Sequence, residues 1–558
     1  MMRRKLDGAD LRRYLERRRT GLRSIRQNME PLWHELRLYI DPFRGRFDGE
    51  RPNEYRPDVS KHLRTIVQDC ADIMAAGLQS GLTSPSRDWF RITTPDPDLA
   101  KYHHVKQWCE EVHNRIMKVL PGAGFYRAAH SMYHEIGDFG TGCVLALSDF
   151  ERIVRFRCLT CGSYYAGLGE GDGVDVIYRD FWLSAEQLAE KFGREALPEA
   201  VLEVLERAPD SSFEVRHAVE RDYSPGARFS YVSVYYLAGA NDDKPILRKG
   251  GYSSFPAMVP RWQCVEGDVY GFGPGNKILQ SVKTMQKMAN NQLEAINKQV
   301  NPPLQMDKNL KKSYLNSQAG GVTYVEKVGE YIAPLTVFNP NLGDLKESIY
   351  DFEQAVRSAM YVDLFLMLQQ SRDKDKSATE AAILQEEKGM MLGPVIENLT
   401  SEFHTKAIEH VFNMLNEAGY IPEPPEEIAG QELKIEYVST LAQAQKMMGR
   451  APLEGLLSFC GNLYGTDPSI MDNVDLDQAV RSYADMVGAP AKVLRDPAAV
   501  EGIRRRQAEA AAAEEQAQAL ERAAAGGADA AQAAKLMSEV DAGPDSALAS
   551  ALGMVGGR

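Results

Sequence analysis

Four groups of residues in this chain of 558 have types and spacings that chemistry uses. His130 and His134 stand four apart in His130-Ser131-Met132-Tyr133-His134, the separation that sets two metal ligands on one helical face. A zinc peptidase would carry Glu where Ser131 stands, so surface or capping histidines are expected. Cys158-Leu159-Thr160-Cys161 is a single CxxC with no second pair and no redox-fold context, and its spacing is read as coincidence. Gly271-Phe272-Gly273-Pro274-Gly275 enters a helical pattern as a phosphate-cradling loop would. Pro274 removes a backbone donor, however, and no Gly-Lys-Ser or Gly-Lys-Thr follows, so a structural turn is expected. Asp172, Asp175 and Asp180 lie among glycines at strand ends and turns, where a nuclease would hold its metal, but no basic motif accompanies them. No Gly-x-Ser-x-Gly elbow occurs. The reading is no catalytic residue, no cofactor and no metal.

What remains is a charged segment and the helices that hold it. Gln369-Gln370-Ser371-Arg372-Asp373-Lys374-Asp375-Lys376 separates two helical patterns. Such a run is ordinarily a solvated connector. If it projected into a channel, Ser371, Arg372, Lys374 and Lys376 would touch phosphates weakly and reversibly at cellular salt. Before it, apolar or small residues recur three or four apart at Ile278, Val282, Met285, Ala289, Leu293, Ile296 and Val300, one stripe stopped by Asn301-Pro302-Pro303. A second stripe, Leu345, Ile349, Phe352, Val356 and Ala359, follows a Gly-containing insert. Two long helices around a small module make a strut more readily than an enzyme core.

Composition narrows the partners. A chain of 62.2 kDa with 44% hydrophobic and 26% charged residues is ordinary globular material, long enough for several domains. A net charge of -13 argues against a surface that grips nucleic acid throughout, though not against one that lets DNA slide past. The basic start, from Arg3 to Arg26, lacks the apolar core of a signal peptide, since Leu11, Tyr14, Leu15, Leu22 and Ile25 are spread at helical spacing. No run of about eighteen apolar residues occurs to span a membrane. Seven scattered cysteines read as reduced thiols in a cytosolically assembled protein.

Along the chain, helices are expected at Ala9–Ile40, Lys61–Leu78, Asp98–Leu120 and Tyr126–Gly137. Short strands follow at Val144–Ser148, Ile153–Cys158, Ser163–Ala166 and Val174–Asp180, and again at Val215–Arg221, Tyr231–Leu237 and Pro256–Gln263. Ser184 and Gln187 form a capping box for a helix to Phe192. Helices first and a sheet after give an α+β domain, mainly α-helical overall. Ser377–Ala418 reads as one long helix from a second capping box, with a kink at Gly393-Pro394. Leu433–Tyr437 reads as a strand and Leu441–Val487 as helix in pieces. The tail from Ala498 to Lys535 is helix-forming but has little to bury.

Several segments together resemble the head-to-tail connector, or portal, proteins of short-tailed bacteriophages, from about Leu11 to Met447. They are Ser80-Gly81-Leu82-Thr83-Ser84-Pro85-Ser86-Arg87-Asp88-Trp89-Phe90, Tyr270 to Gly275, Asn301-Pro302-Pro303-Leu304, Tyr361-Val362-Asp363-Leu364-Phe365, Ala378-Thr379-Glu380-Ala381, and Glu386 to Val395. None is catalytic; their order and spacing carry the resemblance. It implies the portal fold of wing, stem, clip and crown, assembled as a homo-oligomeric ring, a dodecamer, around a channel for double-stranded DNA. Residues 1–275 would be the wing, 276–300 and 342–368 the stem helices, 301–341 the clip and 369–376 the tunnel loop. Residues 377–418 would be the long wing helix, 419–497 the crown and 498–558 a C-terminal extension. Stem packing would fall to Ile278, Val282, Met285, Leu293, Ile296, Leu345, Ile349, Phe352 and Val356. The implied partners are terminase large subunit, major capsid and scaffolding proteins and tail adaptor proteins, at the portal vertex of a virion, with no membrane. A tail-adaptor or scaffold protein that encloses no DNA is the competing reading, and a nuclease built on Asp172, Asp175 and Asp180 the third.

Overall fold

The structure is a computed structural model. It describes residues 7–47, 49–51, 53–96, 99, 102–149, 152–171, 173–224, 226–239, 244–300, 304–306, 332–334, 342–370, 392–438, 450–464, 473–487, 495 and 497–525. The chain divides into two compact units, Met1–Met448 and Gly449–Arg558.

The first unit begins with two helices where one was expected, α1 (Gly8–Gln27) and α2 (Glu30–Tyr39). The run stops at Asn28-Met29 because Pro31, in the first turn of α2, has no N–H to continue it. Two of the arginines of α1, Arg19 and Arg26, are turned inward. Arg26 is buried, bonded to Glu30 at 2.9 Å and to the carbonyl oxygens of Gly162 and Tyr164. Arg19 reaches Asp180 and the Tyr165 hydroxyl, and Arg216 reaches back to Glu16 at 2.5 Å. These arginines fasten a helix to a sheet.

That sheet is antiparallel, in the order β4 (Tyr164–Leu168), β5 (Val174–Ser184), β6 (Ser212–Arg221), β7 (Tyr231–Leu237) and β8 (Arg248–Tyr252). Side chains alternate across it. Tyr165, Val176, Tyr178, Ala218, Val234 and Tyr236 meet Leu11, Leu15 and Leu22 of α1 on one face. Val215, Tyr235 and Leu237 meet Leu188, Leu197 and Val201 on the other, from α6 (Ala185–Phe192), α7 (Glu199–Arg207) and the turn between them. The Ser184–Gln187 capping box starts α6 as its sequence indicates.

A larger core lies among α3 (Ile66–Leu82), α4 (His103–Gly122), α5 (Phe125–Phe139) and a second sheet ordered β3 (Ile153–Cys158), β2 (Val144–Asp149), β9 (Ala257–Met258). Only Ala257–Met258 of the strand expected at Pro256–Gln263 pairs with β2, since Pro256 and Pro260 donate nothing to a ladder. Trp89, Phe125 and Phe403 stack in a row, each ring 5.7 Å from the next. β1 (Phe90–Thr93), which its sequence did not reveal, pairs with β12 (Lys434–Tyr437) far along the chain. α3 starts at Ile66 rather than Lys61 because the Gln286 side chain takes the backbone of residues 63 and 64.

α8 (Pro274–Val300) and α9 (Leu342–Ala359) pack against each other, and between them β10 (Leu304–Met306) pairs with β11 (Ile332–Pro334). α10 (Val362–Gln370) follows, and then a helix over 392–417 with one π turn, Thr400–His404. Its described part begins at Leu392, so Gly393 and Pro394 fall in the first turn seen. The second unit contains helices Arg450–Tyr464, Leu476–Val487 and Pro497–Ala525. Arg504 grips Asp477 there with two bonds, 2.5 and 2.7 Å.

Candidate functional site

The paired helices are built from their anchor outward. The glycine turn before α8 is a packing device. Added β-carbons would lie 2.6 Å from the Gln263 carbonyl oxygen at Gly271, 2.5 Å from that of Ile136 at Gly273 and 2.2 Å from that of Asp138 at Gly275. Only glycine lets this turn close on the end of α5. Three of its donors are occupied: Gly271 N–H donates to Thr141 Oγ1 at 2.8 Å, Phe272 N–H to the Gln263 carbonyl at 2.8 Å and Gly273 N–H to Asn276 Oδ1 at 2.7 Å. Pro274 opens the helix, where its missing N–H costs nothing.

From there α8 runs with one face against α2 and α5. Ile278, Leu279, Val282, Met285 and Ala289 are buried. Gln286 is buried too. Its Oε1 accepts from the N–H groups of Leu63 and Arg64 at 3.0 and 3.1 Å, and its Nε2 donates to the Arg64 carbonyl at 2.8 Å. One side chain thereby replaces the hydrogen bonds that a helix at residues 63–64 would have made. Lys283 adds an ion pair to Glu35 of α2 at 2.7 Å.

Beyond Ala289 the same spacing meets different surroundings. Leu293 is 49% exposed, Ile296 38% and Val300 70%, although Ala295 is covered. On α9, Ile349 and Val356 are buried, Leu345 and Phe352 partly so, and Tyr350 is 57% exposed. Leu293, Ile296 and Val300 are three and four apart, one uncovered apolar stripe on a surface helix.

The helix expected to run through 342–368 is interrupted. Tyr361 takes φ 56°, in the left-handed region, which ends α9 and redirects α10 across α3. Phe365 then lies over Gly77, whose added β-carbon would stand 2.2 Å from that ring. The Tyr361 ring packs 5.9 Å from Trp262. A glycine on α3 and a local bend on another helix thus make one joint, which spacing alone does not announce.

The other sequence candidates separate. Ser371, Arg372, Lys374 and Lys376 lie outside the described residues, as does Asp172. Asp180 is committed to Arg19, while Asp175 sits five residues back on the same strand and so on its opposite face. No acidic centre forms from the pair. Cys158 and Cys161 are free, like all seven thiols, and burial pushes both upward in pKa. His134 is neither surface nor cap: it is buried, because α5 is enclosed on every side from Met132 to Phe139. His404 is also buried, its Nε2 3.0 Å from the Tyr133 hydroxyl, and desolvation pushes it down to about 3. Two features went unnoticed in the sequence. One is a groove lined by Arg127, Arg152, Arg155 and Arg157, signalled only by the alternation of Arg155 and Arg157 on β3. The other is the approach of Asp41 to α5.

A helix pair with one end sunk in an α+β body and the other bearing uncovered apolar side chains, with no assembled catalytic set among the described residues, defines a subunit made for assembly. Over residues 12–494 the sequence matches the family of bacteriophage head to tail connecting proteins, and the chain belongs to it. It is 34% identical over 540 residues to the portal protein of Salmonella phage epsilon15, covering 94% of this chain and 95% of that one. It is 34% identical over 512 residues to the probable portal protein of Bordetella phage BPP-1, covering 90% and 92%. A chain from the virion of a native gene transfer agent particle overlays at a TM-score of 0.34 and 10% identity, over 74% of this chain and 92% of that one, too distant to bear on the fold. No helix among the described residues is long and apolar enough to cross a membrane.

Proposed function

We propose that this connector is one subunit of a closed ring, a dodecamer, at one vertex of the capsid, enclosing the channel through which double-stranded DNA is packaged and later ejected. In this reading residues 276–300 and 342–368 are the stem helices, residues 301–341 the clip, 369–376 the loop facing DNA, and residues 1–275 with 377–418 the wing. Residues 419–497 form the crown. The ring docks terminase large subunit during packaging, the major capsid and scaffolding proteins around it, and tail adaptor proteins afterwards. It performs no catalytic step.

The observation that carries the reading is the exposed stripe Leu293, Ile296 and Val300 on α8. The described residues of a single chain leave it in water. A head-to-tail ring supplies each subunit with a different complementary face from its neighbour, and closure leaves no such face unpaired. α8 is long enough for a wall: 27 residues span about 40 Å at roughly 1.5 Å per residue.

Negative-stain microscopy of the purified full chain tests it. Rings viewed down their axis, with a channel wide enough for duplex DNA, are expected. Leu293→Asp with Ile296→Asp is expected to leave single folded chains. Wild-type protein that stays monomeric at micromolar concentration, or rings that the double variant forms equally well, would overturn the reading.

A further inference from the structure

The histidine that the sequence paired with His130 has a different partner. His134 and Asp138 stand four apart on α5 and so share a face, and Asp41, just past the end of α2, reaches that face. One ligand atom from each of Asp41, His134 and Asp138 lies within 4.8 Å of the other two. Ligands about 2.1 Å from one tetrahedral ion sit about 3.4 Å apart, so a small inward movement completes a site.

Asp138 has no exposed surface, and neither carboxylate oxygen has a hydrogen-bond partner. A buried carboxylate left in that state is costly unless a counter-charge is supplied. The local balance makes it worse. Asp41, Glu135 and Asp72 act on it against one guanidinium, Arg44, and that cation already pairs with Asp41 at 3.1 Å and Glu135 at 3.3 Å. Four carboxylates face one fixed positive charge. The imidazole suits a metal as well. His134 Nδ1 is buried without a partner, while Nε2 is 3.5 Å from the exposed carboxylate of Asp72. One ring nitrogen toward a metal and the other toward a carboxylate is the usual way such a ligand is oriented.

We propose that Asp41, His134 and Asp138 hold one divalent first-row cation of the Zn2+ or Mn2+ class, tying the end of α2 to α5. One nitrogen with two carboxylate oxygens favours such ions over Ca2+ or Mg2+, which prefer oxygen alone.

The full-length chain, stripped with EDTA and reloaded with Mn2+ or Mg2+ in turn, provides the test by metal content after dialysis. Mn2+ is chosen because thiols, including exposed Cys264, bind it poorly. About one Mn2+ per chain is expected to remain, with Mg2+ lost. His134→Gln and Asp138→Asn are each expected to retain less than about a tenth of that, Asp72→Asn to bind about 10- to 100-fold more weakly, and His130→Gln to bind fully. Melting of each variant by circular dichroism accompanies the measurement, and Asp41→Asn, at the more open end of the site, serves if a variant of α5 does not fold. Co2+ loading should give a visible d–d band in wild type that is absent from the ligand variants. The proposal is overturned if wild type keeps no Mn2+, or if the ligand variants keep as much as wild type. It is equally overturned if Asp138→Asn melts as wild type does and added Mn2+ moves neither, the behaviour of a protonated Asp138 needing no ion.

Discussion

The two halves of α8 obey one apolar rule and have different fates. Ile278, Val282 and Met285 lie against α2 and α5 and are buried; Leu293, Ile296 and Val300, at the same spacing, stand in water. Spacing of three and four specifies a helix with an apolar stripe. It does not specify what covers the stripe, because the covering surface comes from elsewhere in the fold or from another molecule. The first half needs its own chain. The second half carries a surface that the described residues of its own chain leave bare.

Substitutions that should act oppositely on the two halves break or sharpen this contrast. Val282→Asp puts a carboxylate where no water reaches, and is expected to cost at least about 4 kcal/mol. Urea denaturation of the dissociated chain measures it, and an unchanged midpoint would mean that the first half is not held by its own chain. Acid should act next most strongly. His404, close to the same core, is neutral when folded, while the unfolded chain takes up a proton near pH 6.5. Its contribution is complete above pH 6.5 and is lost as pH falls from there toward about 3, at up to roughly 1.4 kcal/mol per pH unit. His404→Gln, which keeps a partner for Tyr133, should flatten that slope; equal acid unfolding curves for both proteins would refute it. Gln286→Ala should cost about 1–3 kcal/mol, since three backbone groups at Leu63 and Arg64 lose their partner, and faster amide exchange at those two residues would localise the loss. Smallest of all, Leu293→Asp should change the stability of the dissociated chain by no more than about 0.5 kcal/mol. A loss there as large as that from Val282→Asp would erase the contrast.

Much of the fold can be read from the residues, and the misses share a cause. Strands with alternating side chains, such as Tyr231–Leu237 and Ile153–Cys158, and the Ser184–Gln187 box lie where their local patterns place them. The glycine turn before α8 shows as a turn, because Pro274 and the missing Lys are local facts. β1 and the late start of α3 do not show, since each depends on a partner remote in sequence: β12 for the first, Gln286 for the second. The break at Tyr361 depends on Gly77 and Trp262. The α5 face was half visible. His130 and His134 advertise the four-residue step, but Asp138 acquires its meaning only with the arrival of Asp41.

Sequence by itself determined the helical stripe of α8, the turn that launches it and the family to which the chain belongs, because these rest on periodicity, on residues with restricted backbone geometry and on their order. Tertiary structure alone decided that the stripe is covered to Ala289 and bare beyond it, that α9 ends at a left-handed Tyr361, and that a buried carboxylate and an imidazole share one face with Asp41. Burial and charge balance belong to the surroundings of a residue, and a chain acquires those surroundings only when distant segments meet.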